Sequence, residues 1–253
     1  MKVGSLCTGY GGLDMAVEAY FNAETVWCAE YDQYASQLIE KRFGYVNYGD
    51  ISKIDWSSVE PIDILTAGYP CQPFSQAGSR KGTNDDRHIW PHITKAIRIL
   101  RPKFIVLENV RGHLSLGFDR VLGDLTELGY DTKWKLIRAS DVGAPHQRAR
   151  LFIVAYPKHS GWSHDWQTQE LGRGSITCAD LCLQDPPATL DQGLVNIEFI
   201  EYMMGLEKGW VSDMDIPDQQ KYKILGNGVV PQQAYYALQQ LLDVDTPSEQ
   251  DLS

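Results

Sequence analysis

The sequence predicts an α/β fold: a parallel sheet with helices on both faces, plus a small loop-rich insert. Three observations carry that expectation. Short apolar runs alternate with amphipathic segments over the first 156 residues, the pattern of a parallel α/β sheet. At Pro157 the composition shifts to Gly, Ser, Thr, Gln and Pro, without periodicity up to about Leu194. Amphipathic character then returns, last in a helix from about Gln232 to Leu242 that needs a surface to pack on. Of 253 residues, 43% are hydrophobic, 22% charged and 11% aromatic, which excludes a disordered, collagen-like or coiled-coil chain. No apolar run approaches the roughly 20 residues that span a bilayer. The segment Met1–Cys7 has no secretory layout, and Cys7, Cys28, Cys71, Cys178 and Cys182 form no disulfide framework. A soluble protein of a reducing compartment, the cytoplasm, is expected.

In chain order, Val3–Leu6 is a short apolar strand ending at the turn Gly9-Tyr10-Gly11-Gly12, with a helix to about Phe21. Thr25–Ala29 is the next strand, ending on Glu30, and a helix from Gln33 to Phe43 buries Tyr34, Leu38, Ile39 and Phe43. Ile62–Ala67 reads as a buried strand, followed by a polar loop through Arg87. Ile89, Trp90, Ile93, Ile97 and Leu100 recur at helical spacing. Phe104–Leu107 is a further strand, and Phe118, Val121, Leu122, Leu125 and Leu128 mark a further helix. Lys133–Ile137 and Leu151–Ala155 form a closing pair of strands, and regular structure resumes at Ile197–Met204.

The candidate chemistry collects at strand ends. Thr8-Gly9-Tyr10-Gly11-Gly12 joins a strand to a helix, where backbone N–H groups suit an adenosyl cofactor; an ordinary tight turn looks the same. Glu30, roughly 20 residues on, suits the two hydroxyls of a ribose. Asp50, in Gly49-Asp50-Ile51, suits an adenine amino group. Singly, each acid reads equally as a solvated loop residue. Cys71, in Gly68-Tyr69-Pro70-Cys71-Gln72-Pro73, emerges at the same sheet edge with its backbone stiffened by two prolines. A half-buried structural cysteine is the bland alternative. The loop beyond it carries Arg80, Lys81 and Arg87, which suit phosphates. Glu108 ends an apolar strand, where its charged form is disfavoured, so it either holds a proton to donate or caps a loop. Arg148 and Arg150 precede a strand at strand spacing, on one side, as salt-bridge partners or as ligands of an oxygen or phosphate.

Taken in order, these segments resemble the cytosine-C5 DNA methyltransferases: Thr8–Gly12, Glu30, Gly49–Ile51, Pro70-Cys71-Gln72, Glu108-Asn109-Val110, His146–Arg150 and Gly226-Asn227-Gly228-Val229-Val230-Pro231. An ordered series of this kind is highly specific. The resemblance implies a Rossmann-like S-adenosylmethionine-dependent sheet, with residues 1–156 and about 219–253 as the catalytic, cofactor-binding domain and about 157–218 as a small target-recognition region. It implies methyl transfer from S-adenosylmethionine, leaving S-adenosylhomocysteine, to C5 of a flipped cytosine. By the same resemblance Cys71 is the nucleophile on C6, Glu108 holds N3 and the amino group, and Arg150 holds O2, with Arg148 beside it as a further catalytic residue. The implied cofactor set is Thr8, Gly9, Tyr10, Gly11, Gly12, Leu13, Glu30, Tyr31, Asp50, Ile51, Pro70, Ile89, Trp90, Asn227 and Val229. No metal is expected: the spacing of His159, His164, Cys178 and Cys182 fits no common pattern. Double-stranded DNA is the implied partner, no membrane is involved, and a restriction endonuclease is a candidate second partner.

There are departures. His146 stands where the family has Gln, and Phe199–Gly205 with Gly209-Trp210 looks like a variant of compact members. The insert carries few basic residues, Lys158 and Arg173 among them. Nothing in it resembles the family's tRNA-acting branch, and the compact form favours DNA. The formal charge of −10, from 33 acidic against 23 basic residues, is unusual for a nucleic-acid partner and requires local basic surface. Part of it lies in an acidic tail with Asp243, Asp245, Glu249 and Asp251. A catalytically dead binding module would suit that charge but has no physical need to keep Cys71, Glu108 and Arg150 together. A nicotinamide-dependent oxidoreductase shares the glycine loop but leaves Pro70-Cys71-Gln72 without a task.

Overall fold

A computed structural model describes residues 1–70, 89–158 and 195–243. The expectations on Cys71, Arg80, Lys81, Arg87, the segment 159–194 with its histidines and cysteines, and the tail after Asp243 lie outside those residues.

Seven strands form one sheet: β1 (Lys2–Leu6), β2 (Glu24–Ala29), β3 (Val46–Asn47), β4 (Ile64–Gly68), β5 (Phe104–Val110), β6 (Tyr130–Ile137) and β7 (Arg150–Pro157). Their order is β3-β2-β1-β4-β5-β7-β6. The first five are parallel, and β7 runs antiparallel between β5 and β6. The closing pair of strands is therefore a β6–β7 hairpin whose second strand inserts into the sheet. This differs from the dinucleotide-binding order 3-2-1-4-5-6, in which no reversed strand intervenes.

The central strands β1, β4, β5 and β7 are largely buried because both faces are covered, whereas the edge strands β3 and β6 carry exposed residues such as Asn47, Asp131 and Lys135. Successive residues alternate between two cores: Ile105, Leu107, Leu151 and Ile153 join one, and Phe104, Val106, Phe152 and Val154 the other. Helices α3 (Trp90–Leu100) and α4 (Phe118–Glu127) cover the first face through Ile93, Ile97, Val121 and Leu125. Helix α1 (Gly12–Phe21) and helix α7 (Pro231–Leu242) cover the second, with Ala16, Val17, Ala234, Leu238 and Leu241. The last amphipathic segment thus packs on the sheet, beside α1. Tyr34 and Phe43 are only half-buried; in α2 (Gln33–Arg42) it is Ala35, Leu38 and Ile39 that are buried.

A third core joins Tyr10, Ala35 and Leu38 to Met204, Leu206, Val211 and Met214. Residues 197–216 thus share a core with the sheet domain. They comprise α5 (Ile197–Met203) and irregular chain; α6 (Asp218–Asn227) follows. Among the described residues no helix is long and apolar enough to cross a membrane.

Candidate active site

Strand order reverses between β1 and β4, and ligands of open α/β sheets bind beyond the carboxyl ends of the strands at such a switch point. A cleft of about 1140 Å³ opens there. Thr8, Gly9, Gly12, Leu13, Glu30, Tyr31, Asp50, Ile51, Pro70, Ile89, Asn227 and Val229 line it, as do Glu108 and Arg150. Sites more than 200 residues apart in sequence therefore face one space.

On one side is the glycine turn. Glu30 accepts the Gly9 N–H at 2.9 Å and the Asp32 N–H at 2.8 Å, so both carboxylate oxygens are oriented by backbone donors. Burial raises its pKa, and those two N–H groups oppose the shift. Asp50 accepts from the Ser52 hydroxyl at 2.7 Å and the Ser52 N–H at 2.9 Å and pairs with Lys53 at 3.1 Å. The hydroxyl contact leads in lowering its pKa to about 2, so it is a fixed anion at the cleft wall. Tyr10 and Gly11 lie behind the cleft rather than in it. The Tyr10 phenol is fully buried and donates to the Val229 carbonyl at 2.6 Å. Gly11 caps α1 at a φ of 85°. The glycine turn and the turn after α6, residues 228–230, touch so closely that a Cβ on Gly12 would overlap the Val229 carbonyl, and one on Gly228 the Tyr10 ring. Both positions require glycine for that approach.

Trp90 is also absent from the lining. Its ring packs on Tyr69, 5.4 Å between centroids, and its indole N–H donates to Asp124 at 2.7 Å, so Ile89, just before α3, and His92 within it face the cleft instead.

On the other side, Glu108 lies within β5, in register with Gly68 of β4 and Phe152 of β7. The strand runs on to Val110, two residues beyond it and three beyond the expected end at Leu107. Glu108 is 6% exposed and meets Arg150 Nε at 2.9 Å. Burial pushes its pKa up to about 7 against the pull of Arg150 and Arg148, so a proton remains available near neutrality.

The arginine pair does not share one strand face. β7 begins at Arg150, whereas Arg148 lies outside it in a left-handed backbone conformation, φ 28°. Its side chain turns to the Gly226 carbonyl at 2.7 Å and the Gly228 carbonyl at 2.6 Å, and it is not among the cleft's lining residues. His146, the departure noted above, meets the Met203 carbonyl at 2.7 Å through Nε2.

Three features were not anticipated. The cleft floor is a polar cluster of Ser5, Asp14 and Thr66, whose signal was an acid on the buried face of an amphipathic helix. Asn109 donates to the Tyr69 carbonyl at 3.0 Å, tying β5 to the chain just before Pro70. Lys223 and Ile224 reach the cleft from α6, a helix with weak apolar patterning.

The fold is the Rossmann-like sheet of S-adenosylmethionine-dependent methyltransferases. The S. pombe Dnmt2 methyltransferase superposes with a TM-score of 0.75 at 18% identity, over 96% of this chain and 98% of that one. The Entamoeba histolytica methyltransferase EhMeth does so at 0.65 and 18%, over 98% and 99%. Residues 1–176 match the family model for C-5 cytosine-specific DNA methylase, and the chain belongs to that family. Type II methyltransferase M.NgoBI of Neisseria gonorrhoeae is 38% identical over 160 residues, 61% of this chain and 50% of that protein. M.HhaI of Haemophilus parahaemolyticus is 34% identical over 156 residues, 60% and 47% respectively. The chain spans about half the length of the curated relatives it matches.

Proposed function

We propose that this chain methylates C5 of cytosine in double-stranded DNA, using S-adenosylmethionine and a transient bond between Cys71 and C6 of the base. The observation that carries this reading is the buried Glu108–Arg150 pair, 2.9 Å apart, opening into the same cleft as Glu30 and the glycine turn. An adenosyl-type pocket beside an acid–guanidinium pair supports a reaction between a cofactor and a base.

The cleft suits the cofactor. Each Glu30 oxygen that accepts a backbone N–H keeps a lone pair for a ribose hydroxyl. The unblocked Gly9 lets a ligand approach the backbone. When bound, S-adenosylmethionine supplies an electrophilic methyl group.

The target base must leave the duplex stack, which otherwise hides both ring faces. Cys71 follows Gly68 of β4 by three residues, and Gly68 is the register partner of Glu108. In this reading the Cys71 thiolate forms a bond to C6, and the C5–C6 π electrons shift toward N3. Protonated Glu108 donates to N3 and takes up the developing charge, while Arg150 holds O2. C5 then carries nucleophilic density for the methyl group. Loss of the C5 proton to solvent water returns its electron pair to the C5–C6 bond and expels the thiolate, and N3 gives its proton back to Glu108. The partner is DNA in the cytoplasm, and a restriction endonuclease cutting the same sequence is the second partner proposed.

A duplex carrying 5-fluorocytosine at the target has no C5 proton to lose. The protein should remain bound through Cys71 in a complex that survives denaturing electrophoresis and needs S-adenosylmethionine to accumulate. Cys71→Ser should abolish both adduct and turnover, because a hydroxyl is far less ionised than a thiol near neutral pH. Cys7, Cys28, Cys178 and Cys182 should each be replaceable without losing the adduct. An adduct mapping to another cysteine, or methylation by Cys71→Ser at a comparable rate, would refute the mechanism.

A further inference from the structure

We propose that Arg148 is a positioning residue that ties the cofactor side of the cleft to the base side. It does so by gripping the two carbonyls that flank Asn227 while holding its charge beside the Glu108–Arg150 pair. The inference rests on the methyl-transfer reading above and gives Arg148 a task distinct from contact with the base.

The grip is direct. One nitrogen, Nη2, donates to both the Gly226 and the Gly228 carbonyl, at 2.7 and 2.6 Å. The residue between them, Asn227, lines the cleft and is itself exposed, so the backbone on either side sets where its side chain stands. Val229, two residues beyond Asn227, is held by the Tyr10 phenol from the glycine turn. Arg148 therefore closes a chain of contacts: glycine turn, the end of α6 with the turn that follows it, guanidinium. Its own backbone is anchored from α7, where Gln233 Nε2 donates to the Arg148 carbonyl at 2.8 Å.

The grip is held at a cost. Arg148 is a non-glycine residue at φ 28°, and its Nε is buried without a hydrogen-bond partner among the described residues. Strained backbone and an unmet buried donor persist only where the surroundings over-determine them. Here the two carbonyl contacts are what the strained geometry makes. An extended backbone would carry the side chain along the strand, as the sequence led one to expect, and away from the C-terminal end of α6.

The charge also acts on the base side, through its field at Glu108. Among the described residues, the charged or titratable groups that act on Glu108 are Arg150 and Arg148, with the Tyr10 phenol nearby. Both arginines favour the ionised carboxylate against burial. Loss of the Arg148 charge should let Glu108 keep its proton to higher pH, whereas loosening of the loop alone should not. This distinguishes a positioning role from a general contribution to folding.

The test uses the full chain with Arg148→Gln and Arg148→Lys, titrated calorimetrically with S-adenosylhomocysteine, and single-turnover methylation followed against pH. Arg148→Gln should weaken S-adenosylhomocysteine by about 10-fold or more, the usual scale for charged hydrogen bonds. It should also move the alkaline limb of the rate profile upward. Arg148→Lys keeps the charge, but its ammonium ends a shorter side chain than the one whose Nη2 reaches both carbonyls, so it should weaken the ligand and leave the limb in place. Should Arg148→Gln not fold, Arg148→Lys with Tyr10→Phe, which releases Val229 from the other side, carries the affinity arm. Variants that bind as tightly as the wild type would overturn the inference while leaving the methyl-transfer reading intact. A wild-type chain that does not bind S-adenosylhomocysteine would overturn the reading itself.

Discussion

Asp14 is 1% exposed on the inner face of α1, accepting from the Ser5 hydroxyl at 2.9 Å and from the Thr66 hydroxyl. Ser5 in turn meets Thr8 at 2.8 Å, so the cluster reaches the start of the glycine turn. Burial pushes the Asp14 carboxyl up to about 7, and the two hydroxyl donors only partly offset the shift. The sign of its linkage follows. In the unfolded chain the group ionises near pH 4, whereas the folded chain keeps the proton to about 7. Between those values the unfolded state releases a proton that the native state retains, so stability falls as pH rises through this window. Asp14→Asn preserves the shape and removes the titration. Its melting temperature relative to the wild type should rise by several degrees from about pH 5 to about pH 8, on the usual scale for a domain of this size. A difference that stays constant over that range would rule out a titrating Asp14.

At the scale of elements, the segment from α5 to α6 shows how a site can be supported by chain with little periodicity. Glu201, 0% exposed in α5, accepts from the Gly209 N–H at 3.1 Å and the Ser212 hydroxyl at 2.8 Å, and also from the Val211 and Ser212 N–H groups. One carboxylate therefore satisfies three backbone donors of an irregular loop that the chain buries. That loop presents Trp210, whose indole donates to the Tyr10 carbonyl at 3.3 Å and whose ring lies under Arg42 at 5.3 Å. Glu201→Ala strands those donors in a dry site. It should cost about 3 kcal/mol or more in urea unfolding, at the large end of single substitutions. A loss under about 0.5 kcal/mol, the range of surface changes, would show that the loop holds itself. The apolar spacing of α5 and α6 is weak because each gives only a few side chains to the third core, Ile197 and Ile200 from α5 and Ile224 and Leu225 from α6. In α6 only Ile224 and Leu225 are buried.

For the whole molecule the charge of −10 is the property to reconcile with a DNA substrate. Residues 244–253 hold Asp245, Glu249 and Asp251 and no Lys or Arg. If they act only through the general field, removing them should leave the methylated sequence unchanged. DNA binding should strengthen by no more than about threefold at low salt, and the gain should vanish near physiological ionic strength, where the Debye length is about 8 Å. Anisotropy titrations at two salt concentrations, with sequencing of the methylated sites, measure both. A changed site preference would make the tail part of recognition.

What the sequence by itself determined is the set of elements whose signal is local. Period-2 and period-3.6 patterning, glycine turns and the order of the motifs predicted the parallel strands, α1 to α4, α7, and the meeting of Glu30, Asp50, Glu108, Arg150 and Asn227 at one sheet edge. Strand ends moved by a few residues, as at β5, because pairing with β4 and β7 extends a strand past its apolar run. Only the tertiary structure decided the rest. It inserted β7 between β5 and β6, turned Arg148 from the expected strand face to the C-terminal end of α6, and set Trp90 on Tyr69 instead of in the cleft. It also put Asp14 beneath the glycine turn. Each of these depends on partners distant in sequence, and local propensity holds no information about which carbonyl, ring or hydroxyl a side chain will find across the fold.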